Sequence, residues 1–177
     1  MFILETPRLI VRRYSMDDIN HFFLLNSNAE TMKYIRPVRN MEECIKILQK
    51  NIAYYEAHPK LGGWAAFEKD TKNYIGSLAI FPVGETDKIQ IGYSFLPPYW
   101  GKGYATELVK AGIPFFFDNN SDEVIYAITE TLNTVSRNVL IKCGFKEESF
   151  IMENETPLVQ FILSRENYKK IWAQKSR

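Results

Sequence analysis

The sequence predicts an α/β (α+β) fold in which a mixed, twisted β-sheet is flanked by helices. Between residues 62 and 130, four strand patterns follow one another with a single helical pattern among them, which disfavours a regular doubly wound fold. A length of 177 residues and an apolar content of 46% fit one globular domain with a full core. We therefore predict a single domain over residues 1–177.

One strand and two helices are predicted in the first third of the chain. Leu9–Tyr14 reads as the first strand. Asp17 and Asp18 open a helix, because acidic side chains suit the positive end of a helix dipole. Its apolar positions are Ile19, Phe22, Phe23 and Leu25. A second helix is predicted over roughly residues 41–57, where apolar side chains recur three and four apart at Ile45, Leu48, Ile52 and Tyr55.

Three strands are predicted next. They are Trp64–Phe67, Tyr74–Ile80 and the segment 88–96, and a polar turn at 69–73 separates the first two. Apolar residues alternate with polar residues or glycine over the eight residues 88–95, which is typical of a strand. Pro97 and Pro98 end this strand, because proline has no N–H for the ladder.

The second half alternates helices and strands. A helix follows Gly101 and Gly103 with a kink expected at Pro114, and a helix beginning at Asn133 ends at Gly144. Strands are predicted over Val124–Thr129, 145–152 and 158–164, before a short polar terminal helix. Without that last helix, the predicted order is β-α-α-β-β-β-α-β-α-β-β.

Composition and charge exclude several classes of protein. A net charge of +1 gives no basic face for nucleic acid. No segment reaches about 18 uninterrupted apolar residues, and the N-terminus resembles no signal peptide. Cys44 and Cys143 lack metal-type spacing, and His21 and His58 are isolated. We expect a cytoplasmic protein with two buried reduced thiols and no metal, nucleic-acid or membrane partner, present as a monomer or homodimer.

The most informative segment is the strand-to-helix turn at residues 99–107 (YWGKGYATE). A helix N-terminus carries backbone N–H groups without intrahelical partners and a partial positive charge, so it suits phosphates. Glycines at 101 and 103 and a small residue at 105 let that backbone approach a ligand closely. The plain alternative is a tight connection that binds nothing. The segment fits neither the P-loop pattern nor the dinucleotide-binding Gly-rich pattern.

Three motifs in register resemble the GNAT acetyltransferase superfamily, and most closely its branch of RimJ/RimL-type ribosomal-protein N-terminal acetyltransferases. They are the opening strand ETPRLIVR (5–12), the turn YWGKGYATE preceded by IGY (91–93), and the helix NTVS (133–136) with KCGF (142–145). The superfamily pattern Gln/Arg-x-x-Gly-x-Gly/Ala falls on Trp100, Gly103 and Ala105, with Trp100 departing at its first position. This departure costs little if the contact is through backbone.

The resemblance implies a sheet splayed at its centre that holds acetyl-CoA, with no metal. The diphosphate would lie on the backbone of the turn, and the pantetheine arm would pair with the strand before it. The implied cofactor-binding residues are Phe95, Leu96, Trp100, Gly101, Lys102, Gly103, Tyr104, Ala105, Thr106, Asn133 and Ser136. For Asn133 a helix N-cap is the competing role, and the two are compatible.

The catalytic residues depart from the family pattern. Related enzymes often carry a glutamate before Ile-Gly-Tyr, where this chain has Gln90. An amine acceptor must lose a proton, so we name Glu130 first as the base, with Glu85 and Asp87 as further candidates. The tyrosine that often protonates the thiolate is replaced by Leu140, and Ser136 is the candidate for contacting the sulfur. For Ser136 a plain first-turn helix serine is the alternative, and for Glu130 a solvated loop carboxylate.

The function expected from the resemblance is an acetyl-CoA-dependent N-acetyltransferase that acts on a primary amine by direct attack in a ternary complex. The amine belongs to a protein N-terminus or to a small molecule. Its pocket is expected between the early helices and the last loop, with walls at residues 34–36 and 153–156. Two alternatives stay open: a catalytically silent acyl-CoA-binding module, motivated by Gln90 and Leu140, and a structural domain whose turn holds nothing.

Overall fold

A computed structural model describes residues 1–173, so the last four residues of the predicted 1–177 domain lie outside the described part. The strands are β1 (Phe2–Glu5), β2 (Leu9–Arg13), β3 (Gly62–Glu68), β4 (Tyr74–Pro82), β5 (Ile89–Phe95), β6 (Val124–Glu130), β7 (Lys146–Glu153) and β8 (Thr156–Ser164). The helices are α1 (Ile19–Asn26), α2 (Ala29–Met32), α3 (Met41–Ala57), α4 (Tyr104–Asn119), α5 (Thr134–Lys142) and α6 (Arg165–Ala173). Short 3₁₀ turns occupy Met16–Asp18 and Pro97–Tyr99.

The strands form one eight-stranded sheet in the order β1-β2-β3-β4-β5-β6-β8-β7. Every neighbouring pair is antiparallel except β5 and β6, which run parallel. The register of this parallel pair contains one position, Gln90 opposite Tyr126, near the start of both strands. The sheet is therefore two antiparallel blocks that join at one end of β5 and β6 and separate toward the other, which confirms the mixed sheet flanked by helices.

Each face of the sheet has its own apolar cluster. On the first, which we call the α4 face, Leu108, Ile113 and Phe116 of α4 pack against strand residues such as Ile91 and Ile125. On the opposite face, the α3 face, the buried cluster is Tyr14, Leu25, Met32, Leu48, Ala65, Tyr74 and Leu96. In β6 the odd positions from 125 to 129 are buried on the α4 face, so the even positions, including residue 130, lie on the α3 face.

Most predicted elements are present, with differences at both ends of the chain. α3 spans Met41–Ala57, as its apolar spacing predicted, and Asn40 caps it by accepting from the Glu43 N–H. The predicted order was wrong in omitting β1 and α2, which are only four residues long. The terminal helix α6 is not simply polar, because its Tyr168 stacks on Phe117 with ring centroids 5.0 Å apart.

Two further expectations concern the thiols and membranes. Cys44 and Cys143 are buried and not joined by a disulfide, as predicted. Within residues 1–173, no helix combines the length and apolar character needed to cross a bilayer.

Candidate active site

The turn between β5 and α4 depends on two glycines in the left-handed region. Gly101 has φ 71° and Gly103 has φ 82°, conformations that side-chain-bearing residues rarely adopt. A Cβ added at Gly101 would meet nothing within 4 Å, and one at Gly103 would come within 3.6 Å only of the Arg8 guanidinium. The glycines are therefore required by backbone conformation and leave the surface in front of the turn open.

The backbone N–H groups of residues 101–106 have no hydrogen-bond acceptor within the described part of the chain. The first helical bond of α4 is donated by Glu107 N–H to the Gly103 carbonyl at 3.1 Å. A run of unpaired amides at a helix N-terminus can bind an anion such as a diphosphate. An acyl-CoA fits these residues, since its diphosphate supplies the acceptors that the chain does not.

Trp100 ties this turn to the end of β5. Its indole N–H donates to the Phe95 carbonyl at 2.6 Å, and its backbone N–H donates to the Pro97 carbonyl at 3.1 Å. The indole is about half exposed, with a relative accessibility of 49%. The Trp100 side chain therefore links the turn to the end of β5, a contact that the sequence pattern did not indicate.

A second tie comes from the turn between β1 and β2. The carboxylate of Glu107, in the first turn of α4, accepts from the Thr6 hydroxyl at 2.6 Å and from the Arg8 N–H at 2.9 Å. Although burial favours the neutral acid, these hydrogen bonds and the Arg8 guanidinium lower the pKa of Glu107 below its usual value. The ETPR motif near the N-terminus and the final glutamate of YWGKGYATE are therefore in direct contact.

The cationic groups beside the turn are Arg8 and Lys102. Arg8 lies over the Tyr104 ring at 4.3 Å and donates to the Lys102 carbonyl at 3.0 Å. The Lys102 ammonium lies 5.4 Å from the centroid of the Tyr99 ring. Arg8 is a residue that the sequence prediction did not assign to the site, although it stands in the quoted opening motif.

The gap between β5 and β6 begins beyond Gln90 and widens toward Phe95. The Leu96 N–H donates to the Ile75 carbonyl at 2.9 Å, which makes Leu96 part of the ladder with β4. Because successive residues of a strand present their backbone groups to opposite edges, the N–H groups of Tyr93 and Phe95 face the gap. The Leu96 carbonyl accepts from Tyr99 at 3.0 Å, so both backbone groups of Leu96 are engaged within the chain.

Asn133 and Ser136 lie in the first turn of α5, on the other side of the gap. The Asn133 side-chain oxygen accepts from the Ser136 N–H at 3.1 Å, which is the N-cap arrangement. The Asn133 Nδ2 amide has no partner among the described residues. The Ser136 hydroxyl lies 2.9 Å from the hydroxyl of Tyr93, a residue of β5. Tyr93 was quoted in a motif but not predicted as a site residue.

The acidic candidates lie in two places. Glu130 is half-buried at the C-terminal end of β6, on the α3 face, and its carboxylate has no hydrogen bond within the described residues. Glu85 and Asp87 are exposed residues of the loop before β5. At about 3.3 Å per strand residue they lie more than about 20 Å along the strand from Phe95. The fold brings Glu130 toward the open end of the gap and the other two to the opposite end.

The predicted acceptor walls lie near the open end of the gap. α2 precedes residues 34–36, and its Thr31 hydroxyl donates to the Phe95 carbonyl at 3.4 Å. The 153–156 segment is the β7–β8 hairpin turn, in which Asn154 and Glu155 have positive φ. A shallow cavity of about 460 Å³ lies elsewhere, at the closed end of the gap, and is lined by Thr86, Asp87, Lys88, Ile89, Asp122, Glu123, Val124 and Tyr126.

The arrangement matches one family of known proteins. The model of the acetyltransferase (GNAT) domain matches residues 8–146, which is well over half of the chain. The chain belongs to the GNAT acetyltransferase family. This GNAT enzyme is 29% identical over 162 residues to the uncharacterized N-acetyltransferase YoaA of Bacillus subtilis (strain 168), covering 88% of the chain and 91% of the relative. It is accordingly an N-acetyltransferase.

Solved structures share the fold of this GNAT enzyme. A GNAT-family acetyltransferase from Bacillus anthracis superposes with a TM-score of 0.80 at 23% identity, covering 94% of this chain and 99% of that one. RimL, a ribosomal L7/L12 alpha-N-protein acetyltransferase in complex with coenzyme A, gives a TM-score of 0.76 at 17% identity, covering 93% and 98%. At these identities the likeness concerns the fold.

Proposed function

We propose that this GNAT enzyme transfers the acetyl group of acetyl-CoA to a primary amine by direct attack in a ternary complex. The amine belongs to a protein N-terminus or to a small molecule, and the branch is the RimJ/RimL-like one, in keeping with the three motifs and the fold of RimL. The observation that carries the proposal is the run of backbone N–H groups at 101–106 without acceptors, at the mouth of a gap between two strands.

The diphosphate binds at the turn. Trp100, Gly101, Lys102, Gly103, Tyr104, Ala105 and Thr106 form this cradle, mainly through backbone N–H groups. Each amide gains an anionic acceptor, and such charge-assisted hydrogen bonds are stronger than those between neutral groups. Lys102 adds positive charge, and Trp100 keeps the cradle in register with β5 through the Phe95 carbonyl.

The pantetheine arm lies in the gap and pairs with the exposed edge of β5. Phe95 supplies a backbone N–H, while Leu96, whose backbone is engaged within the chain and whose side chain is buried in the α3-face cluster, positions the end of β5. On the other wall, Asn133 donates from its Nδ2 amide while its oxygen caps α5. This division of work reconciles the two roles weighed for Asn133.

The two catalytic candidates approach the gap from opposite faces of the sheet. Glu130 lies on the α3 face and Ser136 on the helix that covers the α4 face. The amine enters from the α3 face, and its proton passes to Glu130, directly or through water. The nitrogen forms a bond to the thioester carbonyl carbon, a second backbone N–H on the gap edge of β5 stabilises the oxyanion, and the C–S bond breaks toward Ser136.

A thiol-release assay tests the transfer. Purified enzyme is given acetyl-CoA with a panel of N-terminal peptides and polyamines, free coenzyme A is measured, and acetylated products are identified by mass spectrometry. We expect amine-dependent release with at least one class of acceptor. Binding of acetyl-CoA without release for any amine would instead support the silent acyl-CoA-binding module.

The structural alternative makes a different prediction. If the turn holds nothing, acetyl-CoA does not raise the melting temperature, whereas a ligand at a hundred times its dissociation constant stabilises by about 2.7 kcal/mol. The remaining parts of the proposal are one domain over 1–177, a cytoplasmic location, and a monomeric or homodimeric state. Fractionation and light scattering test the last two.

A further inference from the structure

Tyr93 and Ser136 bridge the gap between the two blocks of the sheet. Tyr93 belongs to β5 and Ser136 to α5, which follows β6. The two hydroxyl oxygens are 2.9 Å apart, and the Tyr93 hydroxyl is also 3.4 Å from the Ser136 carbonyl oxygen. Both side chains are half-buried, so this contact is shielded from solvent only in part.

The Tyr93 phenol keeps its proton at neutral pH. Burial raises its pKa to about 12, although the hydrogen bond to Ser136 acts in the opposite direction. A neutral phenol can donate one hydrogen bond, and within the described residues both possible acceptors belong to Ser136. Tyr93 therefore acts as a fixed donor and not as a source of charge.

The Ser136 hydroxyl has one proton and two acceptor positions. Its backbone is held by the Asn133 cap. Either hydroxyl could donate, but the phenol is the stronger acid and the Ser136 hydroxyl oxygen, at 2.9 Å, is closer to it than the Ser136 carbonyl oxygen, at 3.4 Å, so we assign Tyr93 as the donor. The Ser136 O–H then points away from Tyr93 and can donate a hydrogen bond to a third group in the gap.

We propose that Tyr93 is a positioning residue that orients the Ser136 hydroxyl toward the sulfur of the leaving coenzyme A, an inference that rests on the proposed acetyl transfer. Hydrogen bonds then run from Tyr93 to Ser136 and from Ser136 to sulfur, and each strengthens the next. Leu140, buried in the core, occupies the position at which the family resemblance implies a tyrosine. Here the phenol comes from β5 instead of α5.

The step balances without proton transfer from either hydroxyl. When the C–S bond breaks, its electron pair stays on sulfur, and the thiolate accepts the hydrogen bond from Ser136. A free thiol has a pKa of about 8.5, well below that of Tyr93, so the thiolate does not deprotonate the phenol. The thiolate takes its proton from solvent after release.

The test is the thiol pKa of coenzyme A bound to the enzyme, measured from thiolate absorbance or from the pH dependence of alkylation. If the two hydroxyls stabilise the thiolate, this pKa lies below that of free coenzyme A. We expect Tyr93→Phe to raise it by about one unit, because it removes one member of a charge-assisted chain. Turnover falls about tenfold while the KM for acetyl-CoA is unchanged.

Two more variants complete the cycle. Ser136→Ala raises the same pKa at least as much, and the double variant shows no further rise, since Tyr93 acts through Ser136. Tyr126→Phe is the matched control, because it removes a phenol oxygen from β6 at the closed end of the gap and leaves the pKa unchanged. Melting temperatures and coenzyme A affinities of all four variants verify folding.

An unchanged thiol pKa in Tyr93→Phe, with coenzyme A still bound, overturns the role of Tyr93. Additive effects of the two single variants do the same, since they indicate independent action. Failure of coenzyme A to bind the wild-type enzyme would instead contradict the proposed function. If Tyr93→Phe does not fold, the rise in Ser136→Ala and its size relative to Tyr126→Phe decide whether the pair contacts the sulfur.

Discussion

Arg8 and Glu107, which are 99 positions apart, form an ion pair in which Nη2 and Oε2 are 2.6 Å apart and Nε donates to the same carboxylate oxygen at 2.7 Å. The pair joins the β1–β2 turn to the first turn of α4. Arg8 is 45% exposed, but Glu107 is only 16% exposed and also accepts from Thr6. The N-terminal end of α4, which contains the last residues of the cradle, is thus tied to the β1–β2 turn.

We expect Glu107→Gln to destabilise the enzyme. The neutral amide weakens every hydrogen bond that the carboxylate accepts and leaves part of the cluster unsatisfied, which costs about 1–3 kcal/mol. The measurement is urea unfolding, together with the KM for acetyl-CoA, which rises as the cradle loosens. Glu166→Gln is the control: it disrupts a fully exposed i,i+4 pair with Lys170, and such surface pairs contribute little to stability, so the change should be much smaller than in Glu107→Gln. Equal effects of the two variants would contradict this role for Glu107.

Gly103→Glu should abolish binding of acetyl-CoA, because it places bulk and negative charge where the diphosphate is proposed to lie. The matched control is Gly84→Glu, since Gly84 also has positive φ and open space around its Cβ but lies in the loop before β5. Both variants carry similar backbone strain, so the difference between them reports the site. Calorimetry should detect binding to the Gly84 variant alone. An unchanged affinity of the Gly103 variant for acetyl-CoA would contradict the proposal that the diphosphate binds at this turn.

Glu130→Gln should lower kcat at neutral pH by about 10²–10⁴, the usual contribution of a general base, with little change in acetyl-CoA affinity. Asp87→Asn serves as the control, because Asp87 lies at the other end of β5. Steady-state kinetics with the best acceptor of the amine panel gives both values. A normal rate in Glu130→Gln would mean that another group or water takes the proton.

Ionisation of Asp18 should make the free energy of unfolding depend on pH in the acidic range. Burial opposes its ionisation, but the paired hydrogen bonds from Arg12, each 2.7 Å, and the Ser15 N–H outweigh it and lower the pKa of Asp18 to about 2. A depressed native pKa contributes stability above the unfolded value, near pH 4, and this contribution is lost as the pH falls toward 2. The difference amounts to about 2 kcal/mol.

Urea unfolding at pH 7 and pH 2.5 measures this term. In Asp18→Asn the loss of stability between the two values should be about 2 kcal/mol smaller than in the wild type. Asp17→Asn, a change at the exposed neighbouring position, should behave as the wild type. Parallel pH profiles for all three proteins would show that Asp18 is not the titrating group.

Local patterns predicted the long elements well. The apolar spacing of Ile45, Leu48, Ile52 and Tyr55 predicted α3, because a helix in a globular protein buries one face. The buried face itself consists of Leu48 and Tyr55 with Cys44 and Asn51, while Ile45 and Ile52 are half-buried at its border. β1 and α2 escaped prediction since four residues are too few to display a period. The YWGKGYATE turn was recognisable because its glycines and its place between strand and helix are local properties.

Contacts between distant residues were outside the reach of such patterns. The Trp100 indole, the Arg8–Glu107 pair and the Tyr93–Ser136 contact each depend on the fold bringing separate segments together. Ser136 and Asn133 were named from the resemblance, but the partner of Ser136 lies 43 positions away. Sequence therefore indicated which segments bear the chemistry, and the fold supplies which side chains face one another.

The single ladder position that β5 and β6 share has a consequence for how the enzyme unfolds. Because β5 and β6 share so little of a ladder, the side-chain packing of the α4-face cluster, in which Leu108 of α4 lies with Ile91 of β5 and Ile125 of β6, carries much of the contact between the two halves. Amide exchange should then resolve two cooperative units that meet at this seam. The melting temperature would then depend on the side-chain packing between the two units. A ligand bound between β5 and β6 would slow their separation.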